Sequence, residues 1–389
     1  MGNEVSIIIT LSVIIFISPY LSRIFRLPAT PIEIVLGSIV GSMGFITYNH
    51  FFELIAEVGF FYLMFLAGTE VNLKELQNVP RKMMKRNISY IVMLYLFSFI
   101  FVQIFNFSAI VTVILPLISV GLILTLYKEF DRDTKWLNLS MSTGIMGELI
   151  SIIAVTVAGS IIVHGVGKEL YLSIGYLILF LVAIAIVFKG FRLLFWWFPE
   201  LKTYLIPIYS DKDEKDIRLS MALFFLMIAV MLMLDLEVAF GAFVAGIFIP
   251  TFFEHHKELP HKLSSFGFGF LIPIFFVYTG STFQLSSLFL DGLIRTALLI
   301  TFSMIAIRML ASLAFAGYLD LRERILFSFS HSMPLTLLIA IVTLAYQNHS
   351  ITQFYYFAFI LASLFEVIIS IVSIKVISRY GCVSLIKRK

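Results

Sequence analysis

The chain has 389 residues, of which 60% are hydrophobic and only 13% are charged, with a formal net charge of +4. A water-soluble protein of this length needs a polar shell that this composition does not supply, so a bilayer is the expected solvent. Lipid leaves backbone groups without partners, and the apolar runs of about 20 residues are continuous, which favours helices over barrel strands. The sequence therefore predicts an all-α polytopic membrane protein with no nucleic-acid partner.

Hydropathy predicts about 13 transmembrane helices. Lys and Arg concentrate in alternate loops, and positive residues mark the cytoplasmic side, so we expect the N-terminus outside and the C-terminus inside. A very short turn at Asp235 and Glu237 separates the eighth and ninth spans. The predicted spans lie near 5–23, 30–47, 53–70, 87–106, 108–127, 136–163, 170–198, 217–234, 237–253, 265–282, 292–316, 323–346 and 351–377.

The domain organisation follows from the longest polar stretch, at 199–216. We expect one membrane transporter domain over residues 1–389, with a first repeat at about 1–163, a linker helix at about 170–198 and a second repeat at about 217–380. Two six-helix halves that begin on opposite sides of the membrane form an inverted repeat. We expect no soluble regulatory domain.

Four ionisable residues are predicted near the middle of spans, where a charge costs several kcal/mol and indicates function. They are Glu148, Arg308, His331 and Glu366. Three further acids are predicted nearer the ends of spans, where a side chain can reach the interface. Those acids are Glu33, Glu57 and Glu70.

Glu148 lies in the run STGIMGELISI, residues 142–152. Its small and hydroxylated neighbours are expected to leave room for water or a cation, and these are Ser142, Thr143, Gly144 and Gly147. An acid in that setting can exchange a proton for a cation, two ligands that cannot occupy it together. The alternative is a protonated carboxyl group that is hydrogen-bonded between helices.

The other three residues each have a structural and a functional interpretation. Arg308 is flanked by apolar residues and needs an acidic or carbonyl partner, for which Glu148 and Glu366 are the acids at similar depth. An ion pair there would be structural or functional. Glu366 is either a second functional acid or a packing carboxyl, and the pattern around His331 favours a hydrogen-bonding packing residue over a ligand.

Two spans carry helix-breaking features midway along their length. The fifth contains Ser119, Val120 and Gly121 after Pro116, and the twelfth contains the run 331–336 with Pro334. Broken backbone at membrane depth is tolerated where it lines a cavity or is buried in protein. Breaks at matching places in two halves indicate a transport site, although an ordinary kinked helix would give the same pattern.

Five segments carry a family resemblance: LPATPIEIVLGSIVG (27–41), EVGFFYLMFLAGTEVNLKEL (57–76), SVGLILTLYKE (119–129), VAFGAFVAGIFI (238–249) and GFLIPIFFVYTG (269–280). In this order and spacing, the chain resembles the bacterial monovalent cation/proton antiporters. That group includes Na+/H+ antiporters and Kef-type potassium efflux systems. The resemblance implies a homodimer in the bacterial cytoplasmic membrane, with crossed broken helices in a core of spans five, six, twelve and thirteen.

The resemblance also assigns residues. Gly147 and Glu148 stand at the family's acidic pair, so Glu148 is implied to be the ion carrier without a polar partner before it. The threonines that sodium antiporters often offer in the crossover helix correspond to Ile118 and Ile123, while Ser119 keeps its hydroxyl group. Arg308 matches the family's basic residue in the eleventh span and is implied to compensate charge.

The function implied is exchange of protons for a monovalent cation by alternating access, with Na+ ahead of K+. We predict the exchange to be electroneutral, with Ser119, Ser142 and Thr143 beside Glu148 at the ion. A Kef-like K+ efflux transporter and a non-transporting membrane sensor with the same fold stay open. We expect no cofactor, no metal site and no enzymatic activity, since no nucleophile–base pair is visible.

Overall fold

A computed structural model describes residues 2–25, 27–46, 49–71, 79–120, 122–123, 126, 134–164, 168–198, 200, 214–234, 236, 238–252, 258–283 and 285–386. The described residues form helices joined by short connections. In chain order the helices are α1 (Gly2–Phe25), α2 (Ala29–Ser42), α3 (His50–Thr69), α4 (Arg81–Phe105), α5 (Val111–Ile114), α6 (Lys135–His164), α7 (Lys168–Trp197), α8 (Lys215–Met233), α9 (Val238–Phe252), α10 (Leu259–Phe266), α11 (Ile272–Thr282), α12 (Leu293–Ala311), α13 (Leu321–His331), α14 (Leu335–Gln347) and α15 (Gln353–Ile386). A π-helical turn, Gly267–Leu271, joins α10 to α11.

Nine helical segments within the described residues are long and apolar enough to cross a membrane. They are Glu4–Phe25, His50–Thr69, Arg81–Phe105, Lys135–Ala158, Ile174–Leu194, Lys215–Met233, Leu259–Thr282, Leu293–Phe315 and Gln353–Ser378. Shorter apolar helices occur at Ala29–Ser42, Val238–Phe252 and Leu337–Gln347. The prediction of a helical, multi-pass membrane protein is confirmed. The exact number of spans and the orientation stay predictions, and Asp235 and Glu237 lie outside the described residues.

The chain forms two compact units, and the first contains residues 1–73 and 159–287. Its helices approach closely at glycines. A side chain at Gly68 in α3 would collide with the carbonyl oxygen of Phe243 in α9, and a side chain at Gly246 would collide with that of Phe65. Each helix therefore presents a glycine to the backbone of the other, the arrangement that lets membrane helices pack without a hydrophobic driving force.

The second unit contains residues 74–158 and 288–389 and holds both predicted helix breaks. The helix α5 ends at Ile114, and residues 115–120 are not helical. Near the other break, α13 begins with a capping box between Asp320 and Glu323 and ends at His331. The chain becomes helical again at Leu335, after Pro334, whose missing N–H suits the start of a helix. Both breaks are thus observed, although Gly121 lies outside the described residues.

We predict that Gly68→Ala destabilises the first unit, because the added methyl group meets backbone that cannot move aside. Overpacking of this kind typically costs about 1–3 kcal/mol. The midpoint of thermal unfolding of the detergent-purified protein should fall. Gly190→Ala is the control, since Gly190 lies within α7 with open space beside it. Equal midpoints for the two variants would contradict the proposed close contact.

Candidate functional site

The carboxyl group of Glu148 is fully buried in the middle of α6. Its Oε1 accepts a hydrogen bond from Ser119 Oγ at 3.3 Å, and its Oε2 accepts one from the backbone N–H of Val120 at 3.1 Å. Both donors belong to the non-helical segment that follows α5. The breaking of that helix frees the N–H group of Val120 from an intrahelical bond and supplies a partner for the acid.

A third hydrogen bond fixes the same segment to α6. The backbone N–H of Ile118 donates to Ser151 Oγ at 3.3 Å, one turn beyond Glu148. The residues 118–120 therefore lie along α6 with their donors directed at it. This arrangement places an acid, two hydroxyl groups and two backbone donors together at one point of the second unit.

Arg308 in α12 is also fully buried, and its guanidinium group donates to three backbone carbonyl groups. Its Nη2 donates to Leu117 at 2.6 Å in the first break, and its Nε donates to His331 at 2.9 Å at the second. Its Nη1 donates to Met304 at 2.9 Å, one turn back in α12. A single side chain thus bonds the carbonyl groups at both breaks, which have lost their helical partners there.

The acid beside Arg308 is Glu366 and not Glu148. Glu366 Oε1 lies 3.3 Å from Arg308 Nη1, and both side chains are fully buried. Neither Glu366 oxygen has a hydrogen bond among the described residues, and three of the five N–H groups of the guanidinium are directed at carbonyls. Of the two acids expected as partners for Arg308, the structure pairs it with the one in α15.

His331, at the end of α13, is held by both ring nitrogens. Its Nε2 lies 3.1 Å from the carbonyl oxygen of Ser140, which can only accept, so Nε2 carries the proton. Its Nδ1 lies 3.3 Å from Tyr90 Oη, within hydrogen-bond distance. The ring also packs edge-on against Phe327, with a centroid distance of 4.3 Å. The imidazole therefore ties the second break to α4 and α6.

Of the three hydroxyl groups expected beside the ion, that of Ser119 bonds Glu148, whereas those of Ser142 and Thr143 are bonded with Asn87. Thr143 Oγ1 donates to Asn87 Oδ1 at 3.2 Å, and Asn87 Nδ2 donates to Ser142 Oγ at 3.5 Å. Sequence reasoning missed Asn87 because it set the fourth span at 87–106, whereas α4 begins at Arg81. A polar residue six positions inside a helix would have been a signal. Tyr90, the partner of His331, was missed with it.

The expected room beside Glu148 is filled by aliphatic side chains, so this expectation is wrong. A methyl group at Gly147 would collide with Ile118 Cδ1 and lie 3.1 Å from Ile118 Cβ. At Gly144 it would lie 3.1 Å from Ile123 Cδ1 and 3.3 Å from Val120 Cγ2. The glycines admit the side chains of the broken segment, which are themselves buried.

A second expectation also fails, in the first unit. Glu33 was expected to reach the membrane interface, but its side chain is buried and Oε1 accepts a hydrogen bond from Ser18 Oγ at 3.1 Å. The helix α2 is short, so a residue near its start is still enclosed by neighbouring helices. Depth along a span alone therefore does not decide the burial of a side chain.

Comparisons with known proteins agree on one family. Residues 12–379 match the family described as sodium/hydrogen exchanger, transmembrane. A Bacillus subtilis protein named as a Na+/H+ antiporter, YjbQ, is 24% identical over 90% of this chain, which spans only 59% of that relative's length. The ammonium/H+ antiporter subunit AmhT of Alkalihalophilus pseudofirmus is 24% identical over 70% of this chain and 69% of its own. The solved structure of the sodium proton antiporter MjNhaP1 from Methanocaldococcus jannaschii has the same fold, with a TM-score of 0.67, 15% identity and coverage of 95% of this chain and 96% of that one.

We predict that Arg308→Met strongly destabilises the protein, because it leaves Glu366 buried without its ion-pair partner and the carbonyl oxygens of Leu117 and His331 without their donor. Breaking a buried pair by removing one partner costs about 3–5 kcal/mol. The midpoint of thermal unfolding in detergent should fall, and the double variant Arg308→Met/Glu366→Gln should recover part of the loss. Arg295→Met, at an exposed position of the same helix, is the control. An Arg308→Met variant as stable as this control would refute the bridging role of Arg308.

Proposed function

This chain belongs to the sodium/hydrogen exchanger family, and we propose that it exchanges protons for a monovalent cation across a membrane. Glu148 is the carrier. We place the protein as a homodimer in a bacterial cytoplasmic membrane, with Glu148 exposed alternately to the two sides. Relatives whose names specify Na+ and ammonium both match this sequence, so family membership supports a monovalent cation without identifying it.

One observation carries this proposal: Glu148 is a fully buried carboxyl group, and the structure describes no positively charged side chain paired with it. Among the described residues, its polar contacts are Ser119 Oγ and the N–H of Val120, and the buried arginine is paired with Glu366 instead. A buried ionised carboxylate needs a compensating charge. A proton or a cation can supply it, but not both at once, and that competition is the basis of exchange.

The charges nearby set the expected stoichiometry. Arginine side chains stay charged in proteins, and Glu366 lies beside Arg308 as its acidic partner. Glu148 is then the one acid of this cluster that changes partner during the cycle. One proton replaces one cation, so we propose that the exchange is electroneutral and that an imposed membrane potential leaves its rate unchanged.

We predict that Glu148→Gln abolishes exchange while it preserves the fold. The amide can still accept from the N–H of Val120 and can donate to Ser119 Oγ, but it can neither release a proton nor neutralise a cation. Proteoliposomes that contain a pH-sensitive dye and the wild-type protein should release protons when Na+, K+ or Li+ is added. Those with Glu148→Gln should not respond.

The matched control is Glu33→Gln, which removes another buried carboxyl group that accepts from a serine. This variant should retain proton release. Loss of exchange in both variants would indicate a general structural defect. A wild-type protein that responds to no cation would refute the proposal and favour a membrane sensor with this fold.

A further inference from the structure

The contact between Ile118 and Gly147 lies directly beside the carrier. Gly147 precedes Glu148 in α6, and the space where its side chain would lie is taken by Ile118 Cδ1. Ile118 is 1% exposed, so this contact is part of the packed interior. An apolar side chain and a glycine therefore form an aliphatic contact directly beside the carboxyl group.

Two further side chains extend this aliphatic surface. Val120 and Ile123 cover Gly144, one turn before Glu148, and both are fully buried. The hydroxyl groups of Ser142 and Thr143, on neighbouring positions of α6, are bonded with Asn87. Among the described residues, the hydroxyl group bonded to the carboxylate is that of Ser119, and the nearby hydroxyl group of Ser151 accepts from the N–H of Ile118.

The carboxylate itself is also weakened as a ligand. Each of its oxygens already accepts one hydrogen bond, from Ser119 Oγ and from the N–H of Val120. A backbone N–H cannot coordinate a cation, and the hydrogen bond that it donates partly neutralises the negative charge of the carboxylate oxygen. Among the described residues, the site thus combines a single hydroxyl group bonded to the carboxylate with a carboxylate of reduced field strength.

Cation selectivity depends on the number and the field strength of the coordinating oxygens. A small cation holds its water strongly and gives it up only where many strong ligands replace it. Na+ and Li+ therefore lose more hydration free energy than this site returns to them. K+ and Rb+ are larger and more weakly hydrated, so their loss is smaller. Resting on the exchange proposed above, we infer that Ile118, seated on Gly147, sets the cation specificity and makes Glu148 select K+-sized cations over Na+ and Li+. This order reverses the expectation from sequence, which put Na+ first.

The test compares half-maximal concentrations of KCl, RbCl, NaCl and LiCl for proton release from proteoliposomes of the full chain. The wild type should respond to K+ and Rb+ at concentrations about tenfold lower than to Na+ and Li+, a difference of roughly 1.4 kcal/mol. Ile118→Thr should lower the half-maximal Na+ concentration by about tenfold, because it adds a hydroxyl oxygen. Ile118→Val is the matched control, with the shape of threonine and no oxygen, and should keep the wild-type order.

Two results would overturn this inference. One is a wild type that responds to Na+ or Li+ at concentrations equal to or lower than those for K+. The other is the same cation order in Ile118→Thr and Ile118→Val. Either leaves cation-driven proton release, and with it the proposed exchange, intact.

A binding measurement decides the inference where transport or a variant fails. Ligands stabilise the folded state that binds them, so KCl and RbCl should raise the unfolding midpoint of the detergent-purified wild type more than equal NaCl or LiCl. That order supports the inference about cation selectivity even if no cation drives proton release. A lack of proton release would refute the proposed exchange alone. The opposite order overturns it.

Discussion

The guanidinium group of Arg308 is the interaction on which the second unit depends. Two chain breaks leave carbonyl groups without helical partners in a medium that offers no water. Arg308 donates to one such carbonyl at each break, Leu117 and His331, while Glu366 balances its charge. A lysine has a single point charge and no planar fork, so it could not reproduce this pattern. The arginine therefore joins the two breaks, and its charge is paired with Glu366.

This pairing has a chemical consequence for Glu148. Because Arg308 is paired with Glu366, Glu148 has no fixed counter-charge among the described residues, and the exchange that we propose would supply a mobile one. The first break connects the two effects: Leu117 accepts from Arg308, and the next three residues contact Glu148 or its neighbours in α6. Movement of this short segment would therefore alter both the arginine bridge and the coordination of the carrier.

Sequence reasoning anticipated what depends on position along a helix. The burial of Glu148, Arg308 and Glu366, and the breaks near Ser119 and Pro334, were expected from apolar run lengths and from helix-breaking residues. It did not anticipate what depends on rotation about the helix axis. The rotation of each helix about its axis decides which acid contacts Arg308 and which side chains fill the space at Gly147. A prediction of membrane spans does not specify that rotation.

The helical repeat explains why residues near Glu148 in sequence do not all face it. Ser142, Thr143 and Gly147 lie within six residues of Glu148, yet the helix turns 100° per residue, so they face different neighbours. Thr143 meets Asn87 in α4, whereas Gly147 meets Ile118. Proximity in sequence suggested one polar pocket, and the structure instead separates a polar contact from an aliphatic one.

The most direct test of the account counts the protons released when a cation binds. Calorimetric titration of the purified protein with K+, and then with Na+, in buffers of different ionisation enthalpy gives this number. Competition at one carboxyl group predicts one proton released per cation bound at a pH where the carrier starts protonated, and none in Glu148→Gln. Release of two protons, or release that persists in that variant, would show that another acid carries the proton and would contradict the account.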